Sequence, residues 1–251
     1  VSQSGIINGI HDVDEPLRLA LIPYSSVYVN NYAGKNDYSV NGGVDIKYGF
    51  NESFTLDMTL VPDFGQTRFD NKVLNLSPFE VKYDERRYFF TEGTDLFNKN
   101  DLFYSRRIGG TPVNLNKAYD NLNTNEIVTE SPPSAKLYNA TKITGRNSNN
   151  LGIGFFNAVT GTEYATITDT VTSKQRTVQT SPLTNYNVIV LDQALKNNSY
   201  VSLINTNVYR QENSYNADVS ALLFHFADKA NKYAVDGSTD VSQLYYANKP
   251  D

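Results

Sequence analysis

The feature that most limits what this chain can become is an alternation of apolar and polar side chains at a period of two. In VNGGVDIKYGF, residues 40–50, Val40, Val44, Ile46, Tyr48 and Phe50 share one face, while Asn41, Asp45 and Lys47 share the other. The next stretch repeats the rule, with Phe54, Leu56, Met58 and Leu60 opposite Ser53, Thr55, Asp57 and Thr59. Late in the chain Tyr233, Val235 and Val241 oppose Lys232, Asp236, Ser238 and Asp240. Such a period predicts strands with one oily and one wet side. Less regular strands are predicted over 18–30, 136–146, 151–160, 186–195, 200–210 and 219–228. In the last of these Leu223 interrupts the face shared by Leu222, Phe224 and Phe226. Helical periodicity is scarce, so the fold class is all-β.

The connections between these strands alternate in length. GFNES (49–53), GRNSNN (145–150), LKNNS (195–199) and ADKANK (227–232) are short and rich in residues that tolerate turn geometry. Between them lie NNYAGKND, a long stretch over 63–134, a Thr- and Ser-rich segment over 161–184, and RQENSYNAD. Short turns at one end and long excursions at the other predict an antiparallel up-and-down barrel of the outer-membrane type. A secreted sandwich or jelly roll, whose strands also alternate, is the competing fold. The 63–134 connection is longer than compact domains ordinarily leave without structure or function of its own.

Composition narrows the function classes. The net charge of −5 lacks the basic footprint of nucleic-acid binding. With Cys 0 there is no disulfide, thiolate nucleophile or Cys-ligated metal, and with His 2 a histidine-rich zinc site is not expected. No cofactor is predicted. The chain has no apolar run long enough for a membrane-crossing helix. Barrel strands need only about ten alternating residues, so the mean hydropathy of −0.45 does not argue against them. Tyr 18 and Phe 13 beside Trp 0 suit aromatic girdles better than a tryptophan-based sugar platform.

The long connection carries four notable words, PDFGQ (62–66), NLSPFE (75–80), ERRYFFTEG (85–93) and LFYSRRIG (102–109). Gly65 after Phe64 permits a sharp redirection where the chain leaves its strand after Asp63. Arg86, Arg87, Arg106 and Arg107 have Asp84, Glu85, Glu92, Asp95 and Asp101 for partners. Bidentate arginine–carboxylate networks among them would pin a folded loop inside the barrel, with Phe89, Phe90, Phe97, Phe103 and Tyr104 as a small core and Gly93 as a close turn. The same arginines would alternatively grip an anionic ligand. Glu85 and Glu92 are the one carboxylate pair for acid–base chemistry, but acids beside arginine are held ionised. No nucleophile elbow, phosphate loop or zinc-protease word is present, and no catalytic residue is assigned.

These words resemble an uncharacterised family of Bacteroidota outer-membrane proteins in which a carbohydrate-binding-like module of the family-9 type precedes a C-terminal β-barrel. The resemblance rests on Pro62 to Gln66, on Asn75, Leu76, Phe79 and Glu80, on Glu85, Arg86, Arg87, Phe89, Phe90, Glu92 and Gly93, and on Leu102 to Gly109. KITGR (142–146) and GFFNAVTGTE (154–163) extend it. Val61 stands where that family has Asn, and Tyr88 where it has Pro. The resemblance implies the front part of a barrel, with residues 1–17 a linker, 18–251 the barrel region and 63–134 a plug-like insertion. It also implies outer-membrane lipid, and envelope proteins or glycans, as partners, with a role in transport or envelope assembly. A secreted carbohydrate-binding or polysaccharide-processing protein is the alternative. The membrane reading requires Val44, Ile46, Tyr48, Leu56 and Met58 to face outward, and Asp45, Lys47, Asp57 and Thr59 inward.

Overall fold

A computed structural model describes residues 17–32, 35–63, 73–120, 122–212 and 214–246. Nearly all of the expected linker, 1–17, therefore lies outside the described residues. Two sheets account for the fold. One contains β1 (Leu19–Tyr32), β2 (Lys35–Gly49), β3 (Phe54–Leu60), β5 (Leu137–Arg146), β6 (Leu151–Thr160), β9 (Thr184–Ala194), β10 (Tyr200–Arg210), β11 (Asn216–Ala227) and β12 (Ala234–Tyr245), antiparallel throughout and in that order. Apart from the excursions, each strand lies beside the one before it, which is an up-and-down meander. The other, smaller sheet is β4 (Glu126–Glu130), β7 (Glu163–Asp169) and β8 (Gln175–Ser181), in the order β4-β7-β8.

The all-β antiparallel expectation holds, but closure of the wall is not seen. Among the described residues β1 and β12 form the two edges and do not pair with each other. The wall is nevertheless curled. Glu92 bonds Lys47 of β2 and Asn100 bonds Asp240 of β12. In a flat sheet the seven strand spacings from β2 to β12 would measure about 34 Å. Phe97 N–H and Asn98 N–H both bond back to the Thr94 carbonyl, so the chain between Glu92 and Asn100 is too compact to bridge that distance.

Pairing residues share a face, so the register sorts the side chains. Asp57 of β3 pairs Lys142 of β5, which pairs Phe156 of β6, then Val188 of β9 and Thr206 of β10. This is the inner face, covered by the segment that follows β3. Leu56, Ile143, Phe155 and Ile189 form a row on the other face. Of the residues named for the polarity test, Thr59 is buried and Lys47 exposed, while Asp45 and Asp57 are half-buried, as are Val44, Ile46, Tyr48, Leu56 and Met58. On β3 and β5 the segment lies on the wet side, where Gly93 sits over Asp57 and Lys142. Beyond these, Leu203 is 48% exposed, Leu222 45% and Val40 72%.

The core lies between segment and wall. Phe89, Phe90, Phe97 and Ile108 pack onto Ala140, Phe156, Val188, Val190, Ile204 and Ala221. Phe156, 1% exposed, has the rings of Phe90 at 6.0 Å, Phe97 at 6.1 Å and Phe103 at 5.1 Å. Gly154 makes this approach possible, because a Cβ there would meet the Phe97 ring at 3.1 Å. In β9, Val188 and Val190 point to this core while Ile189 and Leu191 point away. Apolar side chains on both faces are the pattern of a sheet covered on both sides.

Three connections differ from expectation. NNYAGKND is not a long loop, because β1 and β2 stay paired out to Tyr32 and Lys35. The β10–β11 connection is shorter than expected, since β11 already starts at Asn216. The Thr-rich 161–184 stretch contains β7 and β8, since β-branched threonine suits a pleated surface as well as it suits a loop. The long excursions that remain, 61–136 and 161–183, leave from the same end of the wall, opposite the short turns.

Candidate functional site

The segment begins under strain. Val61 has φ 48°, a left-handed conformation unfavourable for a β-branched residue, and its N–H bonds the Tyr138 carbonyl at 2.7 Å. Asparagine, expected here from the resemblance, tolerates that conformation. Asp63 then accepts hydrogen bonds from the hydroxyls of Tyr28, at 2.7 Å, and Ser26, tying the segment to β1. Phe64 and Gly65 lie outside the described residues.

The predicted arginine–carboxylate network exists, centred on Glu85 and Arg87. Arg87 donates through Nε to Glu85 Oε1 at 2.9 Å and through a terminal nitrogen to Oε2 at 2.7 Å. The same guanidinium reaches the carbonyls of Ile108 at 2.6 Å and Ser105 at 2.7 Å, and lies 4.1 Å from the Phe90 ring centroid. Ser105 Oγ completes the carboxylate at 2.7 Å. Residues 85–90 are thereby fastened to 105–108. Burial pushes the Glu85 carboxyl up, but the hydrogen bonds and charge of Arg87, with Ser105, outweigh it and leave it below the usual carboxylate range. Arg107 instead pairs with Glu80 at 2.7 Å on the exposed rim. Arg86 lines a small hollow with Asp45, Asp63 and Tyr88, and Arg106 lines a larger trough. Phe89 and Phe90 sit in the core, while the Tyr104 hydroxyl accepts the Tyr83 N–H at 2.9 Å.

Two tethers from wall to segment were not assigned from the sequence. Lys142, 2% exposed, donates to the carbonyls of Phe89, at 2.6 Å, and Glu92, lies 3.9 Å from an Asp57 carboxylate oxygen, and faces the Phe89 ring at 4.5 Å. Lys47 bonds Glu92 from the same side. Gly93, at φ +62, turns the chain directly over Asp57 and Lys142. On the opposite flank the buried Asp192 accepts from Lys99 at 2.6 Å and also from Arg146 and Ser202. The alternating pattern placed Lys47 and Asp57 on the wet face but carried no information about which loop residue each meets.

Glu85 and Glu92 do not form an acid–base pair. The Lys47 hydrogen bond holds Glu92 below its ordinary range, as Arg87 holds Glu85, so both are ionised at neutral pH and neither offers a proton. The arrangement supports fastening and binding better than proton transfer. Its open volume is a trough of about 1330 Å³ between residues 80–113 and the inner faces of β9 to β12, lined by arginine and tyrosine among others.

The small sheet has its own clamp. Glu126 accepts from Arg176 Nε and a terminal nitrogen, both at 2.8 Å, and from the Asn123 N–H at 2.9 Å. The Arg176 hydrogen bonds, with that of Asn123, pull its pKa to about 2. An unfolded glutamate titrates near 4.5, so this stabilisation is full above that pH and disappears as pH falls from there through about 2. Protease nicking in the β7–β8 turn, followed from pH 6 down to pH 2, is expected to rise over that interval in the parent chain. Glu126→Gln should show the raised nicking already at pH 6, with a smaller rise on acidification.

Neither curated proteins nor solved structures provide a match to the chain. A family model does, over residues 15–251, which takes in both sheets and the whole clamped segment. The chain thus belongs to the DUF5916 family, described as a domain of unknown function.

Proposed function

We propose that this chain is wall and plug of an outer-membrane β-barrel that serves transport or an envelope assembly. The observation that carries the reading is the polarity of the nine-stranded sheet. Its inner face is covered by the clamped segment from β3 to β11, while the edge strands β1 and β12 are open on both faces, and its outer face presents Leu21, Val40, Ile189, Leu203, Leu222 and Val241 largely uncovered. Exposed apolar area on that scale needs a cover, and a bilayer supplies one without a dedicated partner.

The order of side chains along the outer face supports the same reading. Among and beyond the apolar rows come amides bonded across strands, Asn205 in register with Ile189 and Asn157 one row further on. Asn157 donates to Asn185 at 2.7 Å and to Asn187 at 2.8 Å, and Asn205 donates to Asp218 at 3.0 Å and to Ser220 at 2.9 Å. Past them stand the exposed Tyr209 and Tyr245, and at the short-turn end Phe50, Phe226 and Tyr233. Apolar rows flanked by aromatic residues match a hydrocarbon layer between two interfaces. The resemblance carried by the segment words points the same way, and the tethers on residues 85–108 support a plug-like role for the 63–134 insertion.

A chain with Cys 0 allows clean single-cysteine spin labelling. After reconstitution into phosphatidylcholine vesicles, labels at Leu203 and Leu222 are expected to collide more with oxygen than with a water-soluble nickel chelate. A label at Thr206, on the inner face, is expected to avoid oxygen enrichment. Chelate-dominated collisions at Leu203 and Leu222 would defeat the proposal and favour a soluble carbohydrate-binding protein.

A further inference from the structure

We propose that the trough between the segment and β9–β12 binds an extended anionic oligomer, one carrying carboxylate or phosphate groups along its length. This deepens the transport reading, on which it rests, by naming the class of solute. The chain as a whole has net charge −5, yet Lys82, Arg107 and Arg210 line the trough against Glu80 and Asp101, beside Arg106, which has a partner of its own. Arg87 also borders it but is committed to Glu85. A cationic hollow in an acidic protein concentrates anions locally.

The cations stand on opposite walls. Arg107 comes from the segment, and Arg210 from the inner face of β10. Arg210 donates to the Tyr215 carbonyl at 2.8 Å while stacking on its ring at 4.4 Å, which fixes the plane of the guanidinium and leaves further N–H groups for an oxyanion. Arg107 leans toward the Tyr104 ring at 5.9 Å. The local anions are weak competitors. Arg107–Glu80 has side-chain exposures of 66% and 57%, and Lys82–Asp101 of 53% and 91%. Ion pairs that exposed are readily exchanged for a ligand. The volume of about 1330 Å³ exceeds the common range for a compact small molecule, roughly 300–1,000 Å³, and suits something longer. Tyrosine rings along it offer flat apolar contact between the charged groups.

The test is calorimetric titration of the full chain in detergent micelles with three probes, tetragalacturonate, inorganic tripolyphosphate and neutral maltotetraose. At least one acidic probe should bind, the neutral one should not, and added salt should weaken binding. Tetragalacturonate binding alone would identify carboxylated glycans as the source, and tripolyphosphate alone would identify phosphate. Arg107→Glu and Arg210→Gln should each weaken binding about tenfold or more, as expected for a charged hydrogen bond. Thermal unfolding in parallel confirms that both variants remain folded, and Arg107, on the rim, provides the fallback if Arg210→Gln does not. Binding of neither acidic probe, equal binding of maltotetraose, or unchanged affinity in a folded Arg107→Glu chain would overturn the proposal. Because micelles stand in for lipid, that result is independent of the spin-label result.

Discussion

Arg87→Ala is expected to lower the unfolding free energy by about 3–5 kcal/mol, the scale of breaking a buried ion pair from one side. The reason lies in what remains. Glu85 has 13% side-chain exposure, and without Arg87 its carboxylate keeps, among the described residues, two backbone N–H groups and Ser105 Oγ. The carbonyls of Ile108 and Ser105 lose the same donor. Guanidinium-induced unfolding, followed by near-ultraviolet circular dichroism of the tyrosines, reads the loss. The double variant Glu85→Leu, Arg87→Met removes the stranded charge and should recover part of it, but not all, since methionine donates nothing to the two carbonyls. If single and double variants unfold alike, the carbonyl bonds and not the ion pair hold the clamp.

That clamp was legible in the sequence as a density of arginine and acid, and its members Glu85 and Arg87 were named. Their partnership was not specified, because Arg86, Arg87, Arg106 and Arg107 look equivalent until the chain is folded. Only the backbone turns at 88–90 and 105–107 decide which guanidinium points inward. The wall was read well, since a period of two is a local property and survives any tertiary arrangement. β6 and β10 match the predicted 151–160 and 200–210 ranges. The small sheet is hidden in the sequence because β7 and β8 are threonine-rich and β7 pairs with β4, which lies inside the long connection. Lys142 was invisible as a site. A lysine in an alternating strand looks solvated, and nothing in its neighbourhood announces that the carbonyls of Phe89 and Glu92 will receive it.

Adjacent residues on β6 allow the two faces to be compared within one strand. Phe156→Ala is expected to cost about 3–5 kcal/mol, because its ring fills the space among Phe90, Phe97 and Phe103 and the surrounding side chains are too constrained to collapse into the cavity. Phe155, one position earlier, lies on the outer face beside Ile143 and Ile189 and is only half-buried. Under the proposed lipid cover, which conforms to any outline and leaves no cavity, Phe155→Ala should lose only part of the transfer of its half-buried ring from water, about 1–2 kcal/mol and well below the cost at Phe156. Unfolding of both variants in the same micelles gives the ratio directly, and limited proteolysis across 73–110 reports whether the Phe156 variant releases the segment. A large penalty at Phe155 as well would mean that the outer face is packed against a fitted protein surface. Lipid could not then be its cover, and the sheet would be an internal wall of an assembly.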